Sequence, residues 1–418
     1  MNPPSEVEVG DLDLTSGLLL LLNRALDQAK PGDEVVVTGT DASLIHDLPA
    51  WCRISGHEYS GSTAGEAGRT RHRIRRGEAE RLNLPGRVEW GAPLTLRGGK
   101  EADTRDWFVG RSAAIPEAAD PSTGFAPRGG MVERGAPAYP FTLTERDRVW
   151  AAEVADLYEQ ATANQWDASR DVAWDRRGDV PRELEQAVCQ VMTFLVENEF
   201  SALYVPAKFV PRIHPHFQEV VMFLATQIVD EARHVEAFTK RALLGGGGIQ
   251  YSVASTQLSL KSLMDQEEFT QASFLLSVLG EGTFLDLLRF IETNAPDPVT
   301  AEVVRRARVD EARHVNFGTA HVRYFLRGNP NHAEELMRAA RARRETLQTI
   351  AAPSPLVQDA LAVLAARSLS PGAIRSGVSA VKGLMGEMHE NRVKRLVSAG
   401  FTPDQSEELS TMHTPNFM

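Results

Sequence analysis

The string Asp230-Glu231-Ala232-Arg233-His234 occurs twice, returning letter for letter as Asp310-Glu311-Ala312-Arg313-His314. Each copy sits in an apolar helical pattern, where Glu-x-x-His places a carboxylate and an imidazole one turn apart on one face. A lone glutamate precedes each copy, Glu199 by 32 residues before Glu231 and Glu281 by 30 before Glu311. A single Glu-Ala-Arg-His reads equally well as a solvated surface quartet. Two identical pentads with upstream glutamates at near-equal offsets do not.

The single glutamates lie in apolar stripes. Leu195, Val196, Ala202 and Leu203 flank Glu199, and Val278, Phe284 and Leu285 flank Glu281. A carboxylate so placed loses its hydration, at a cost of several kcal/mol unless a cation compensates. Glu197 is the rival for the first-helix position, and Glu199 is preferred because its one-turn neighbours are smaller and more uniformly apolar. The expected metal ligands are therefore Glu199, Glu231, His234, Glu281, Glu311 and His314. Four carboxylates and two imidazoles are the set with which a four-helix bundle holds two metal ions in its core. Hard oxygens mixed with imidazole nitrogen suit two iron ions, with manganese or a mixed Mn/Fe pair also admitted.

Bulk properties bound the rest. With 418 residues there is room for two domains, and 42% hydrophobic residues are enough for a sizeable core. A formal charge of −11 argues against nucleic acid as a partner. Two cysteines, Cys52 and Cys189, exclude a disulfide framework or a thiolate-rich metal site and suit a reducing compartment. The polar, acidic start has no basic n-region, and Leu18–Leu22 is too short for a signal core or a membrane span. A cytoplasmic protein, not a membrane one, is expected.

Residues 1–77 read as a small α/β domain in the order β-α-β-α-β-β. Val7, Val9, Leu12 and Leu14 suggest the first strand, Leu18–Ala29 a helix and Glu34–Gly39 a buried strand. Ala42–Ile54 suggests a second helix, followed by a hairpin near Glu58–Ala64 and Arg69–Arg76. This order, with Lys30-Pro31-Gly32-Asp33, Gly39-Thr40-Asp41 and Trp51-Cys52 before Gly56-His57-Glu58, resembles the TusA-like sulfur-carrier fold. That family's Cys-Pro-x-Pro would fall near Thr15–Leu18, where neither cysteine nor proline stands. Without a thiol no persulfide forms, so the domain is expected to be a scaffold or docking module, with Cys52 a packed helical residue. The basic run from Arg69 to Arg76 reads as the solvated face of an edge strand.

Residues 78–140 are rich in glycine and proline and read as a linker or wrapping arm, with strand-like pieces at Arg87–Trp90 and Leu94–Leu96. Residues 141–330 read as helices: Thr144–Thr162, Pro181–Phe209 with Pro206 bending its far end, His216–Leu244, Leu260–Thr293 and Pro298–Leu326. The stretch from Gly245 to about Ser259 is long enough to cross the bundle if extended, at about 3.3 Å per residue. Residues 331–418 follow as flanking helices, among them Ala333–Thr349 and Val378–Ala399. The fold class expected is mainly α: a four-helix bundle with flanking helices and a small N-terminal α/β domain.

Over about residues 185–325 the chain resembles the ferritin-like di-iron carboxylate proteins, notably the soluble monooxygenase hydroxylases and acyl-carrier-protein desaturases. Asn198-Glu199-Phe200-Ser201-Ala202 looks like their first-helix ligand region, and Leu279-Gly280-Glu281-Gly282 like the third-helix one. The resemblance implies that Glu231 and Glu311 bridge the metals and that His234 and His314 are terminal ligands. It implies Asp230 and Asp310 as acceptors orienting the imidazoles, with Arg233 and Arg313 paired to them; a plain surface salt bridge is the rival for the arginines. Some features of relatives are missing. Phe238 stands where radical-forming ribonucleotide reductases carry a tyrosine, Ala307 where arylamine N-oxygenases carry a third histidine, and Leu285 where monooxygenases carry a threonine. Tyr204 reads as a core aromatic, His214 and His216 as surface residues, and Trp166 as a packing anchor in a segment resembling one that precedes the bundle in some di-iron oxygenases.

The implied activity is a di-iron oxidoreductase that uses O₂ to hydroxylate, N-oxygenate or desaturate a small organic substrate. No glycine fingerprint for a nicotinamide or flavin is present, so a separate electron-donor protein is expected; a homodimer is compatible. Two rivals stand beside it: iron oxidation or peroxide removal in the manner of ferritin or rubrerythrin, and a non-enzymatic, metal-stabilised scaffold.

Overall fold

The computed structural model describes residues 5–78, 82–83, 115–128, 132–133, 137–329, 331–348 and 355–413. The expected strand pieces at Arg87–Trp90 and Leu94–Leu96 lie outside them. The chain divides into two compact units, Met1–Arg87 with Met131–Ala136, and Val88–Gly130 with Pro137–Met418.

The first unit is a four-stranded sheet with two helices: β1 (Ser5–Gly10), α1 (Leu18–Gln28), β2 (Glu34–Gly39), α2 (Leu44–Ser55), β3 (Glu58–Ala64) and β4 (Thr70–Arg75). The strand order is β1-β2-β4-β3, with β1 parallel to β2 and β4 antiparallel to both its neighbours. Val35, Val36 and Val37 make β2 buried throughout, and Leu18, Leu22 and Leu26 of α1 with Leu44, Leu48 and Cys52 of α2 complete the core. The first strand stops at Gly10, whose φ of 60° an L side chain would resist. Leu12 and Leu14 therefore fall in a turn, where Asp13 accepts the N–H groups of Thr15 and Ser16 at 2.8 and 2.7 Å. The basic run is also corrected: β4 lies inside the sheet, not at its edge. Its alternation turns His72 and Ile74 inward and Arg71, Arg73 and Arg75 to solvent. A two-residue ladder, β5 (Leu82–Asn83) with β6 (Val132–Glu133), belongs to the same unit.

The second unit is a four-helix bundle with flanking helices. Helix α3 is shorter than the sequence suggests, Val154–Ala163. The chain before it is held extended, because the Leu143 N–H donates to Arg212 O and Leu143 O accepts from the His214 N–H, at 2.9 and 3.0 Å. The bundle proper comprises α4 (Arg182–Phe209), α5 (Gln218–Leu244), α7 (Phe269–Asn294) and α8 (Pro298–Gly328). Asp297 caps α8, accepting the Thr300 N–H at 2.9 Å, with Pro298 at the first helical position. The connection after α5 is not extended throughout: Ala254–Met264 forms a separate helix α6, so the third bundle helix begins at Phe269 rather than Leu260. Helix α7 changes winding on the way, with Phe274–Glu281 π-helical between two α-helical stretches. Helices α9 (His332–Gln348), α10 (Leu356–Ala366), α11 (Pro371–Ala399) and α12 (Pro403–Met412) pack outside it. One apolar cluster runs through bundle and flank. Among the described residues no helix is long and apolar enough to cross a membrane.

Candidate metal centre

Each bundle helix turns one acidic position, or an acid and a histidine, toward the common axis. Ligand-capable atoms of Glu199, Glu231, His234 and Glu311 all lie within 4.8 Å of one another, and so do those of Glu231, Glu281, Glu311 and His314. The two groups share Glu231 and Glu311, which therefore sit between two ion-sized positions. All six side chains are 0–3% exposed. His234 Nδ1 faces Glu199, Glu231 and Glu311 at 3.6, 3.3 and 3.4 Å. His314 Nδ1 faces Glu231 and Glu311 at 3.0 and 3.4 Å. Glu197 is half-buried outside the cluster, its carboxyl raised by burial and lying beside Ser252 and Gln257.

Depth makes these groups costly. Glu199 Oε1 and Glu281 Oε2 are sealed from solvent without a hydrogen-bond partner, and Glu231 Oε1 and both oxygens of Glu311 meet imidazole Nδ1 atoms at 3.0–3.4 Å without hydrogen-bond geometry. Such atoms are rare in native proteins, and their chemistry fits a bound cation. Burial, then repulsion from Glu231 and Glu311, drives the carboxyl of Glu199 far up; burial and the same neighbours do so for Glu281. Burial opposes charge on the imidazoles as well, but the surrounding carboxylates prevail and raise both His234 and His314. The cluster thus offers negative charge for cations and neutralises part of it by protonation when metal-free.

Around the ligands lies a buried charged ring. His234 Nε2 meets Asp310 Oδ2 at 3.1 Å, and His314 Nε2 meets Asp230 Oδ2 at 3.3 Å, so each aspartate serves the other pentad's imidazole. Arg233 donates to Asp310 at 3.0 Å and to Asp230; Arg313 donates to Asp230 at 3.0 Å and to Asp310 at 2.5 Å. These arginines are buried and are not surface salt bridges. An aspartate on Nε2 holds a proton there and leaves Nδ1 as the ring nitrogen that a metal ion could take.

Further participants come from outside the repeat. Trp166 donates its indole N–H to Asp310 Oδ2 at 2.7 Å, and Gln165 bridges Arg233 and Asp230 at 2.7 and 3.2 Å. Trp166 is thus more than a packing anchor. Gln227 donates to Glu281 Oε1 at 3.2 Å. Gln165 and Trp166 have no local signature, because their partners are far along the chain. Gln227 does have one: it stands one turn before Glu231 on the same face.

Other expectations need correction. His214 and His216 are buried rather than on the surface, His214 held by Thr123 and packed edge-on against Phe141. Residues 115–128 cover this turn, and Arg128 forms a buried pair with Glu219 at 2.6 Å. Tyr204 is 55% exposed and is not a core aromatic. Leu285 lines an outward cleft of about 590 Å³ with Leu157, Asp286 and Val315, rather than closing over the six-residue cluster.

Residues 17–76 match the family model described as sulfurtransferase TusA, so the first unit is TusA-like. Its single cysteine, Cys52, is buried, and burial pushes its thiol up to about 11. No curated protein matches the chain. Among solved structures, an R2-like ligand-binding oxidase with an aerobically reconstituted Mn/Fe cofactor is similar at 18% identity and a TM-score of 0.46, over 60% of this chain and 93% of that one. A variant of such an oxidase with an Fe/Fe cofactor is similar at 17% identity and 0.46, over 60% of this chain and 94% of that one. Likeness at that level leaves the chemistry of this chain to its own residues.

Proposed function

We propose that the bundle holds two redox-active metal ions, iron or manganese, and that the protein is an O₂-dependent oxidoreductase acting on a small organic substrate. The observation that carries this reading is the convergence of four sealed carboxylates and two imidazoles from four helices, with carboxylate oxygens that no hydrogen bond satisfies. Glu231 and Glu311 would span both ions, Glu199 and His234 would complete one position, and Glu281 and His314 the other. Two such ions supply the electrons that O₂ accepts.

The chain's own groups set the conditions. Asp310 and Asp230 hold the proton of each imidazole on Nε2, so that Nδ1 is free to bind. Arg233 and Arg313 offset the charge of those aspartates inside the protein. The apolar walls exclude water, which strengthens every charge interaction in the cluster. Each turnover that fully reduces O₂ draws electrons from elsewhere, and a separate donor protein is proposed for that role. For the TusA-like unit the proposal is docking without sulfur transfer.

The test is anaerobic loading of the full chain with ferrous iron, followed by O₂. Two ions per chain and stoichiometric O₂ uptake are expected, with both lost in Glu311→Ala while far-UV circular dichroism is retained. Loading far beyond two ions per chain would point to storage, and ferrous protein inert to O₂ would end the oxidase reading.

A further inference from the structure

The two pentads align α5 on α8, with Glu231 opposite Glu311 and His234 opposite His314, and a register two residues different aligns α4 on α7, with Glu199 opposite Glu281. The surroundings of the two single glutamates nevertheless differ in kind. Around Glu281 stand Gln227, whose amide donates to Oε1 at 3.2 Å, and Ser277, whose hydroxyl bonds the same carboxyl. The matching positions around Glu199 are Ala307 for Gln227 and Leu195 for Ser277, both buried and neither able to donate. One turn after His314 stands Gly318, where a Cβ would fall 2.5 Å from Ser277 Cβ; one turn after His234 stands Phe238, its ring 6.2 Å from the imidazole. The backbone differs too. Glu281 ends the π-helical stretch, whereas Glu199 sits in unbroken α-helix.

Resting on the two-ion reading above, we propose that the two positions are inequivalent and that Gln227 is the positioning residue making the Glu281–His314 position the tighter. With Oε1 engaged by the amide, Glu281 presents the partnerless Oε2 in one orientation. Glu199 Oε2 faces His234 Nδ1 at 3.6 Å, and its Oε1 has no hydrogen-bond partner among the described residues, so no donor like Gln227 orients it there. A carboxylate oriented in advance loses less freedom when it binds. Gln227 and Ser277 also edge a part-open pocket walled by Phe209, Leu276 and Phe317, with about 10 Å³ free.

The test is an anaerobic cobalt(II) titration of the metal-free full chain, read by visible absorption. Two steps separated by about tenfold or more are expected, and Gln227→Leu should weaken the first by about 10–100-fold while leaving the second within about threefold. A crystal grown with one equivalent of cobalt should show its anomalous peak between Glu281 and His314, which tests the proposal even if the variant misfolds. Two steps separated only by the statistical factor, equal weakening of both by the variant, or a first ion between Glu199 and His234 would overturn it. Wild-type protein that takes up no cobalt removes the two-ion reading itself and this proposal with it.

Discussion

The sheet of the first unit and the core of the bundle both pair arginine with acid, at opposite depths. On the sheet, Arg69, Arg71 and Arg75 meet Glu8, Glu6 and Glu58 with side chains 44–64% exposed. In the bundle, Arg233 and Arg313 meet Asp230 and Asp310 with side chains 1–8% exposed. Water and salt screen the first set, so each pair there adds little. The second set is buried, so a lost partner leaves a charge that solvent does not readily reach, and every member depends on the others. Identical chemistry is ornamental to stability in one place and structural in the other.

The contrast can be broken most directly at Asp310. Asp310→Ala takes the Nε2 partner from His234 and the indole partner from Trp166, and it leaves Arg233 and Arg313 to share Asp230. A loss of about 3–5 kcal/mol is expected in urea unfolding of the metal-free protein. A loss under about 1 kcal/mol would mean water reaches the ring. A second test uses pH on a bundle group outside the ring. Burial depresses His321 to about 4, with its ring nitrogens engaged by Trp150 O and Thr270 Oγ1. Its stabilising contribution is complete above the unfolded value of 6.5 and fades as pH falls from there toward 4. The expected acid loss is about 3 kcal/mol, and His321→Gln should flatten that slope. Trp166→Phe removes one hydrogen bond to an anion while keeping most of the ring contact. It should cost about 1.5–3 kcal/mol, and an unchanged midpoint would make the indole N–H dispensable. Smallest of all, Glu58→Ala on the sheet should fall within about 0.5 kcal/mol at any salt concentration.

What the sequence disclosed follows the same division. The pentads and their upstream glutamates stood out because a helical repeat writes tertiary proximity into local spacing, and the structure gathers those six side chains. The bundle helices and the β-α-β-α-β-β order were legible from apolar periodicity and turn residues. Strand order was not: nothing inside Arg69–Arg76 says whether one neighbour or two will flank it. The π-helical stretch Phe274–Glu281 is an apolar run whose letters suit either winding. Burial of His214 and His216 depends on residues 115–128 lying over their turn, a contact that leaves no mark on the histidines' own neighbours.

One consequence follows from each aspartate serving the opposite imidazole. Neither helical hairpin carries a complete set of partners: the α4–α5 pair alone would have Asp230 without His314, and the α7–α8 pair Asp310 without His234. On the proposed two-ion reading, high-affinity ion uptake would wait for the docking of the hairpins, and an occupied centre would report that the whole bundle has assembled.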